Sequence, residues 1–194
     1  MKYLALGDSY TIGEQVEYAD NFPNQLSRLA ALQNRQIYLD ELIAVTGWTT
    51  DELAMAIEKK RPSHDYDLVT LLIGVNNQYR ERSLDEYRWQ FYSLLCQSIL
   101  FAQSKPQQVI VLSIPDWGLT PFNTSRDKAE TSQKINAFND INKEISLALN
   151  CQYIDVTGST RLHATDKHYL ANDLLHYSKN EYKIWAEMIL EKLK

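Results

Sequence analysis

Two short stretches at opposite ends of the chain hold the residues best suited to covalent chemistry. Gly7-Asp8-Ser9-Tyr10 follows an apolar run, Tyr3-Leu4-Ala5-Leu6, that reads as a short buried strand. Ser9 therefore stands where a strand ends and a tight turn begins. Gly7 supplies backbone freedom that a residue with a Cβ lacks, and a serine so placed points its hydroxyl out of the strand end, as a nucleophile must. Near the other terminus, Asp173-Leu174-Leu175-His176 sets a carboxylate three residues before an imidazole. A serine hydroxyl is a poor nucleophile until a neighbouring base takes its proton. Histidine does this near neutral pH, and an aspartate fixes its tautomer and stabilises the imidazolium as it forms. That spacing lets carboxylate and ring meet if the segment turns once. Taken alone, Gly-Asp-Ser is equally an ordinary turn.

The elements that must position these residues alternate throughout. Strands are expected at 2–7, 36–45, 67–74, 108–114 and 152–156, and helices at 21–33, 50–60, 83–104, 125–149 and 178–193. The unbroken apolar run at 67–74 is typical of a strand covered on both faces. Ser83 with Glu86, and Ser178 with Glu181, read as capping boxes. Such alternation predicts βαβ units, a parallel sheet and helices on both faces. The irregular segments (7–20, 46–49, 75–82, 115–124, 157–177) all follow strands, so they gather at the carboxyl edge of the sheet, where such folds bind ligands. Ser9 and His176 then share one rim. Two more features fall there: Gly47, in Val45-Thr46-Gly47-Trp48, and Asn76, in Gly74-Val75-Asn76-Asn77. Acyl transfer builds negative charge on a carbonyl oxygen. The Asn76 amide and the backbone N–H groups of Gly47 and Ser9 suit its stabilisation.

With these residues in that order, the chain resembles the SGNH hydrolases, the GDSL esterase/lipase superfamily. Its pattern is a serine in Gly-Asp-Ser, a lone glycine, an asparagine in Gly-x-Asn-Asp and a final Asp-x-x-His. The matches are Gly7-Asp8-Ser9, Gly47, Gly74-Val75-Asn76-Asn77 and Asp173-Leu174-Leu175-His176, spread over nearly the whole chain. The resemblance implies Ser9 as nucleophile, His176 as base, Asp173 as its partner, and Ser9, Gly47 and Asn76 as the oxyanion hole. It also implies a flavodoxin-like, three-layer α/β/α sandwich on a five-stranded parallel sheet, needing no cofactor or metal. Asn77 departs from the family aspartate, which puts local loop bonding in question rather than the chemistry.

The implied activity is hydrolysis of carboxylic esters through an acyl-enzyme. Alternatives on the same scaffold are a carbohydrate O-deacetylase and a catalytically silent ligand-binding domain. Thioesterase and lysophospholipase activities, the acyl preference and the oligomeric state are not distinguished by the residues. The partner is expected to be a small ester.

Composition sets the remaining bounds. The 194 residues read as one domain, 1–194, with 44% hydrophobic and 23% charged residues. A net charge of −5 disfavours a nucleic-acid partner. The mixed clusters Glu58-Lys59-Lys60-Arg61 and Arg80-Glu81-Arg82 read as solvated helix ends or loops. No window has the length of a membrane span, and the first apolar run is too short for a secretory leader. Cys96 and Cys151 read as isolated buried residues, without metal spacing, so a reducing, cytoplasmic setting is expected. Asn123-Thr124-Ser125 matches a glycosylation acceptor but carries little weight in that setting. Asp166 and His168 form a rival acid–histidine pair, and His64 and His163 read as exposed loop residues. Six aromatic residues, Tyr10, Trp48, Tyr79, Trp117, Phe122 and Tyr177, belong to the rim segments. Pro115-Asp116-Trp117-Gly118 reads as a pocket-forming loop, with no indication of which side chain faces a ligand.

Overall fold

The computed structural model describes residues 1–193. Strands β1 (Lys2–Gly7), β2 (Tyr38–Ala44), β3 (Leu68–Leu72), β4 (Val109–Leu112) and β5 (Gln152–Ile154) form one parallel sheet, in the order β2-β1-β3-β4-β5. The helices are α1 (Ser9–Ile12), α2 (Phe22–Leu32), α3 (Thr50–Lys60), α4 (Val75–Tyr79), α5 (Leu84–Phe101), α6 (Lys128–Ala148), α7 (Thr157–Leu162) and α8 (Lys179–Lys192). The α/β architecture expected from the alternation is therefore present.

Strand order dictates the layers. The step from β1 to β2 runs one way across the sheet, and the steps from β2 to β3, β4 and β5 run the other way. Right-handed crossovers then put α2 on one face and α3, α5 and α6 on the opposite one. The contacts agree: α8 packs on α2, while α5 packs on both α3 and α6. β3 and β4, covered on both sides, are buried along their whole lengths. β2 lies at the edge and keeps Tyr38 and Asp40 exposed. The direction of winding reverses between β1 and β3, and the loops leaving their carboxyl ends diverge around a crevice. Ser9 follows β1 and Asn76 follows β3, so both stand at that crevice.

Three rim segments read as irregular contain short α-helices, α1, α4 and α7, and the segment 115–124 contains a 3-10 turn at Trp117–Leu119. Among the longer helices, Thr49 and Glu52 make a full capping box on α3. The two boxes expected elsewhere are only half formed. Ser83 accepts from the Glu86 N–H at 3.2 Å, but the Glu86 carboxylate turns to Arg82 and Gln90. Ser178 caps α8 through the Asn180 N–H at 3.2 Å, while Glu181 turns inward and is fully buried. There Glu181 accepts from Trp185 Nε1 at 2.9 Å and meets His163 Nδ1 at 2.7 Å. His163 is thus not an exposed loop residue: it is half-buried, paired to Glu181 and stacked on Tyr169 at 3.8 Å. His64 is exposed as expected. Cys151 is buried, with its thiol pushed up to about 12 by that burial, whereas Cys96 is only half-buried. No helix among the described residues is long and apolar enough to cross a membrane.

Candidate active site

β1 ends in a turn so tight that only glycine fits at its corner. A Cβ on Gly7 would overlap Thr11 Oγ1 and the Leu72 carbonyl. The chain passes at once into α1, whose first residue is Ser9. Asp8 caps that helix, its carboxylate accepting from the Tyr10 N–H at 3.0 Å. Burial lifts the Asp8 carboxyl to about 7, against the pull of backbone hydrogen bonds, and its second oxygen has no partner. Asp8 thus orders the serine turn.

Asp173 and His176 meet as a one-turn spacing allows. Asp173 Oδ1 accepts from the backbone N–H groups of Leu175 at 3.0 Å and His176 at 2.9 Å. Oδ2 lies 2.6 Å from His176 Nδ1. Leu174, held at φ 59° by this turn, is one of eight left-handed non-glycine residues among those described. Partial desolvation opposes ionisation of Asp173, but the imidazole and the two backbone N–H groups outweigh it and hold the carboxyl below its ordinary range. A carboxylate only accepts, so Nδ1 carries the proton and the Nε2 lone pair is left free. The ring of Tyr10, the residue after Ser9, packs tilted against the imidazole with the centroids 5.2 Å apart. Asp166, by contrast, accepts from the backbone N–H of His168 at 2.9 Å, and both residues are exposed. The rival pair is a turn.

Ser9, Asn76 and His176 share the wall of one cavity of about 200 Å³, with Tyr10 and Leu175 beside the imidazole. Val75, Tyr79, Trp117 and Phe122 complete the lining. Ser9 and His176 are nearly buried, at 4% and 7% exposure, so a group entering between them leaves bulk water. The described hydrogen bonds do not include one from Ser9 Oγ to His176. Of the rim aromatics, Trp48 and Tyr177 stand outside the cavity wall, and Tyr177 is fully buried in the core.

Gly47 sits in a turn closed by the Trp48 N–H on the Val45 carbonyl, with φ 85°, a conformation that suits glycine. It does not itself line the cavity, but it is joined to Asn76 through the neighbouring residue: Asn76 Nδ2 donates to the Trp48 carbonyl at 3.0 Å. An amide nitrogen carries two hydrogens, so one anchors Asn76 and the other remains available. Arg80 Nη2 donates to the Gly47 carbonyl at 2.6 Å and fastens the same turn from the other side. Arg80 has no motif around it, and its mixed-charge cluster reads only as a solvated segment.

Asn77 explains its own departure from the family pattern. It is fully buried, accepts from the Thr50 N–H at 3.1 Å and donates to Thr50 Oγ1 at 2.7 Å. A neutral amide serves both a donor and an acceptor there, and it ties the loop after β3 to the start of α3 without burying a charge. Among the described residues no cluster of His, Cys, Asp or Glu has the makeup of a metal site.

A family model described as the GDSL-like lipase/acylhydrolase family matches residues 5–184. No curated protein matches by sequence. Among solved structures, a lipase/acylhydrolase from Enterococcus faecalis is 20% identical, with a TM-score of 0.71 over 99% of this chain and 94% of that one. The acetylxylan esterase Axe2 from Geobacillus stearothermophilus is 18% identical, with a TM-score of 0.76 over 99% and 93%. A psychrotrophic esterase from Pseudoalteromonas sp., solved with monoethylphosphonate as inhibitor, is 16% identical, with a TM-score of 0.70 over 99% and 96%. These likenesses extend over almost the full length of each chain and concern the fold.

Proposed function

Since the chain belongs to the GDSL-like lipase/acylhydrolase family, we propose that it is a serine esterase in which Ser9, His176 and Asp173 carry the chemistry and Ser9, Gly47 and Asn76 form the oxyanion hole. The observation that carries this reading is the cavity wall shared by Ser9, Asn76 and a His176 already paired at 2.6 Å with Asp173. Ser9 Oγ attacks the ester carbonyl as His176 Nε2 takes its proton. The carbonyl oxygen becomes an oxyanion, facing the free hydrogen of the Asn76 amide and the N–H groups of Ser9 and Gly47. His176 then gives its proton to the departing alkoxide, the C–O bond breaks, and an acyl-Ser9 ester remains. Water, deprotonated by the same imidazole, attacks that ester and releases the acid with Ser9 restored. Asp173 stays ionised and stabilises the imidazolium at each transfer. The two unpaired cysteines, Cys96 and Cys151, fit a reducing compartment.

A second reading is O-deacetylation of acetylated carbohydrates. It is favoured by the small cavity and its aromatic lining, which suit a short acyl group and a sugar ring, and by the acetylxylan esterase among the structures of like fold. Hydrolysis of 4-nitrophenyl acetate by the wild type and by Ser9→Ala tests the machinery common to both. The wild type should turn over and the variant should not; equal rates would refute it. Release of acetate from acetylated xylo-oligosaccharides separates the two readings.

A further inference from the structure

The esterase reading leaves open what limits the acyl group. Resting on that reading, we propose that Trp117 is the specificity-determining residue of the cleft, closing its acyl side and restricting turnover to esters of short-chain acids.

The direction of the acyl group follows from the chemistry. In the tetrahedral intermediate on Ser9, the oxyanion faces Asn76 and the leaving oxygen faces His176, which protonates it. The acyl substituent takes the remaining direction. Val75 and Tyr79 flank Asn76 on α4 and both line the cavity, so a chain whose carbonyl oxygen rests on Asn76 starts out along them. Trp117, in the turn after β4, is the largest side chain of the same wall and packs edge-on against Tyr79 at 5.1 Å.

This wall is braced against swinging aside. The Trp117 indole is 2% exposed, and its Nε1 donates to Gln78 Oε1, also buried, at 2.7 Å. Rotating the ring would leave a buried donor and a buried acceptor unpaired. The Phe122 ring meets the indole edge-on at 6.3 Å. The Arg126 guanidinium lies 4.6 Å from the Tyr79 ring centre and 5.3 Å from that of Trp117, and its Nη2 donates to the Tyr79 carbonyl at 3.0 Å. Two aromatic faces are thereby held by one cation. The cleft so bounded is open to solvent on one side and offers about 200 Å³, below the roughly 300–1,000 Å³ usual for ligand pockets. A short acyl group fits within it; a long one has to leave its tail in water.

The test is kcat/KM on 4-nitrophenyl esters from acetate to octanoate, for the wild type, Trp117→Ala and Trp117→Phe. The wild type should prefer acetate to octanoate by about tenfold or more, and Trp117→Ala should raise the octanoate-to-acetate ratio by about tenfold, the scale on which pockets discriminate methylenes. Trp117→Phe keeps an aromatic ring in the core and serves if the alanine variant does not fold; it should raise the ratio roughly threefold on the same reasoning. A wild type inactive on every ester, acetate included, overturns the esterase reading. A wild type active on acetate and equally active on octanoate, or a ratio unmoved in the folded Trp117 variants, overturns the Trp117 proposal and leaves the esterase reading standing.

Discussion

The substitution Asp8→Asn should change how folding stability depends on pH. In the folded protein the carboxyl is fully buried, one oxygen has no partner, and burial lifts it from 3.8 to about 7. Between those values the folded state holds a proton that the unfolded state has lost. A group raised in this way contributes stability that is fully present below the unfolded value and disappears as pH climbs through the folded one. The three-unit shift corresponds to about 4 kcal/mol over the whole range, at roughly 1.4 kcal/mol per unit. Between pH 5 and pH 8 the linkage relation gives roughly 2–3 kcal/mol of this. The amide in the variant would keep the bond from the Tyr10 N–H but leave its own N–H₂ unpaired, a penalty of about 1–3 kcal/mol that does not vary with pH. Urea unfolding of both proteins at pH 5 and pH 8 isolates the effect, because other titrations cancel in the difference. The stability of the wild type relative to the variant should fall by roughly 2–3 kcal/mol from pH 5 to pH 8. A difference constant to within about 0.5 kcal/mol would refute the reasoning, since an ionised Asp8 would then cost the fold nothing.

Two further substitutions probe separate parts of the structure. Asn76→Ala removes a donor whose bond should strengthen as the oxyanion forms, so kcat should drop about 10²–10³-fold with KM nearly unchanged; steady-state kinetics that showed only a raised KM would contradict that role. Glu181→Ala deletes the partner of both the Trp185 indole N–H and His163 Nδ1 and should destabilise by roughly 3 kcal/mol, whereas an unchanged denaturation midpoint would show that the buried pair adds nothing.

The sequence carried the frame further than the detail. The buried strand at 67–74 and the helix at 50–60 were legible because long apolar runs and helical spacing repeat over enough residues to be seen. Asp173 and His176 were legible because the contact lies within one turn of chain. The helices α1, α4 and α7 span four, five and six residues, too few to show a helical period. The Gly47–Asn76 link was hidden because it runs through the Trp48 carbonyl, and main-chain groups leave no trace in residue type. Glu181 matched a capping box, but an inward bond to the Trp185 indole one turn later competes for its carboxylate and wins. Among the rim aromatics, Trp117 faces the cleft while Tyr177 fills the core. That division depends on long-range packing, such as the Gln78 bond to Trp117, and not on local pattern.

The central claim is that Ser9 is an activated nucleophile held with His176 in one cleft. It is tested most directly by treating the protein with a fluorophosphonate ester and mapping the adduct by peptide mass spectrometry. One adduct is expected, on the peptide containing Ser9, and it should be strongly reduced in His176→Ala. An unlabelled wild type, or an adduct on another residue with Ser9 unmodified, would contradict the account.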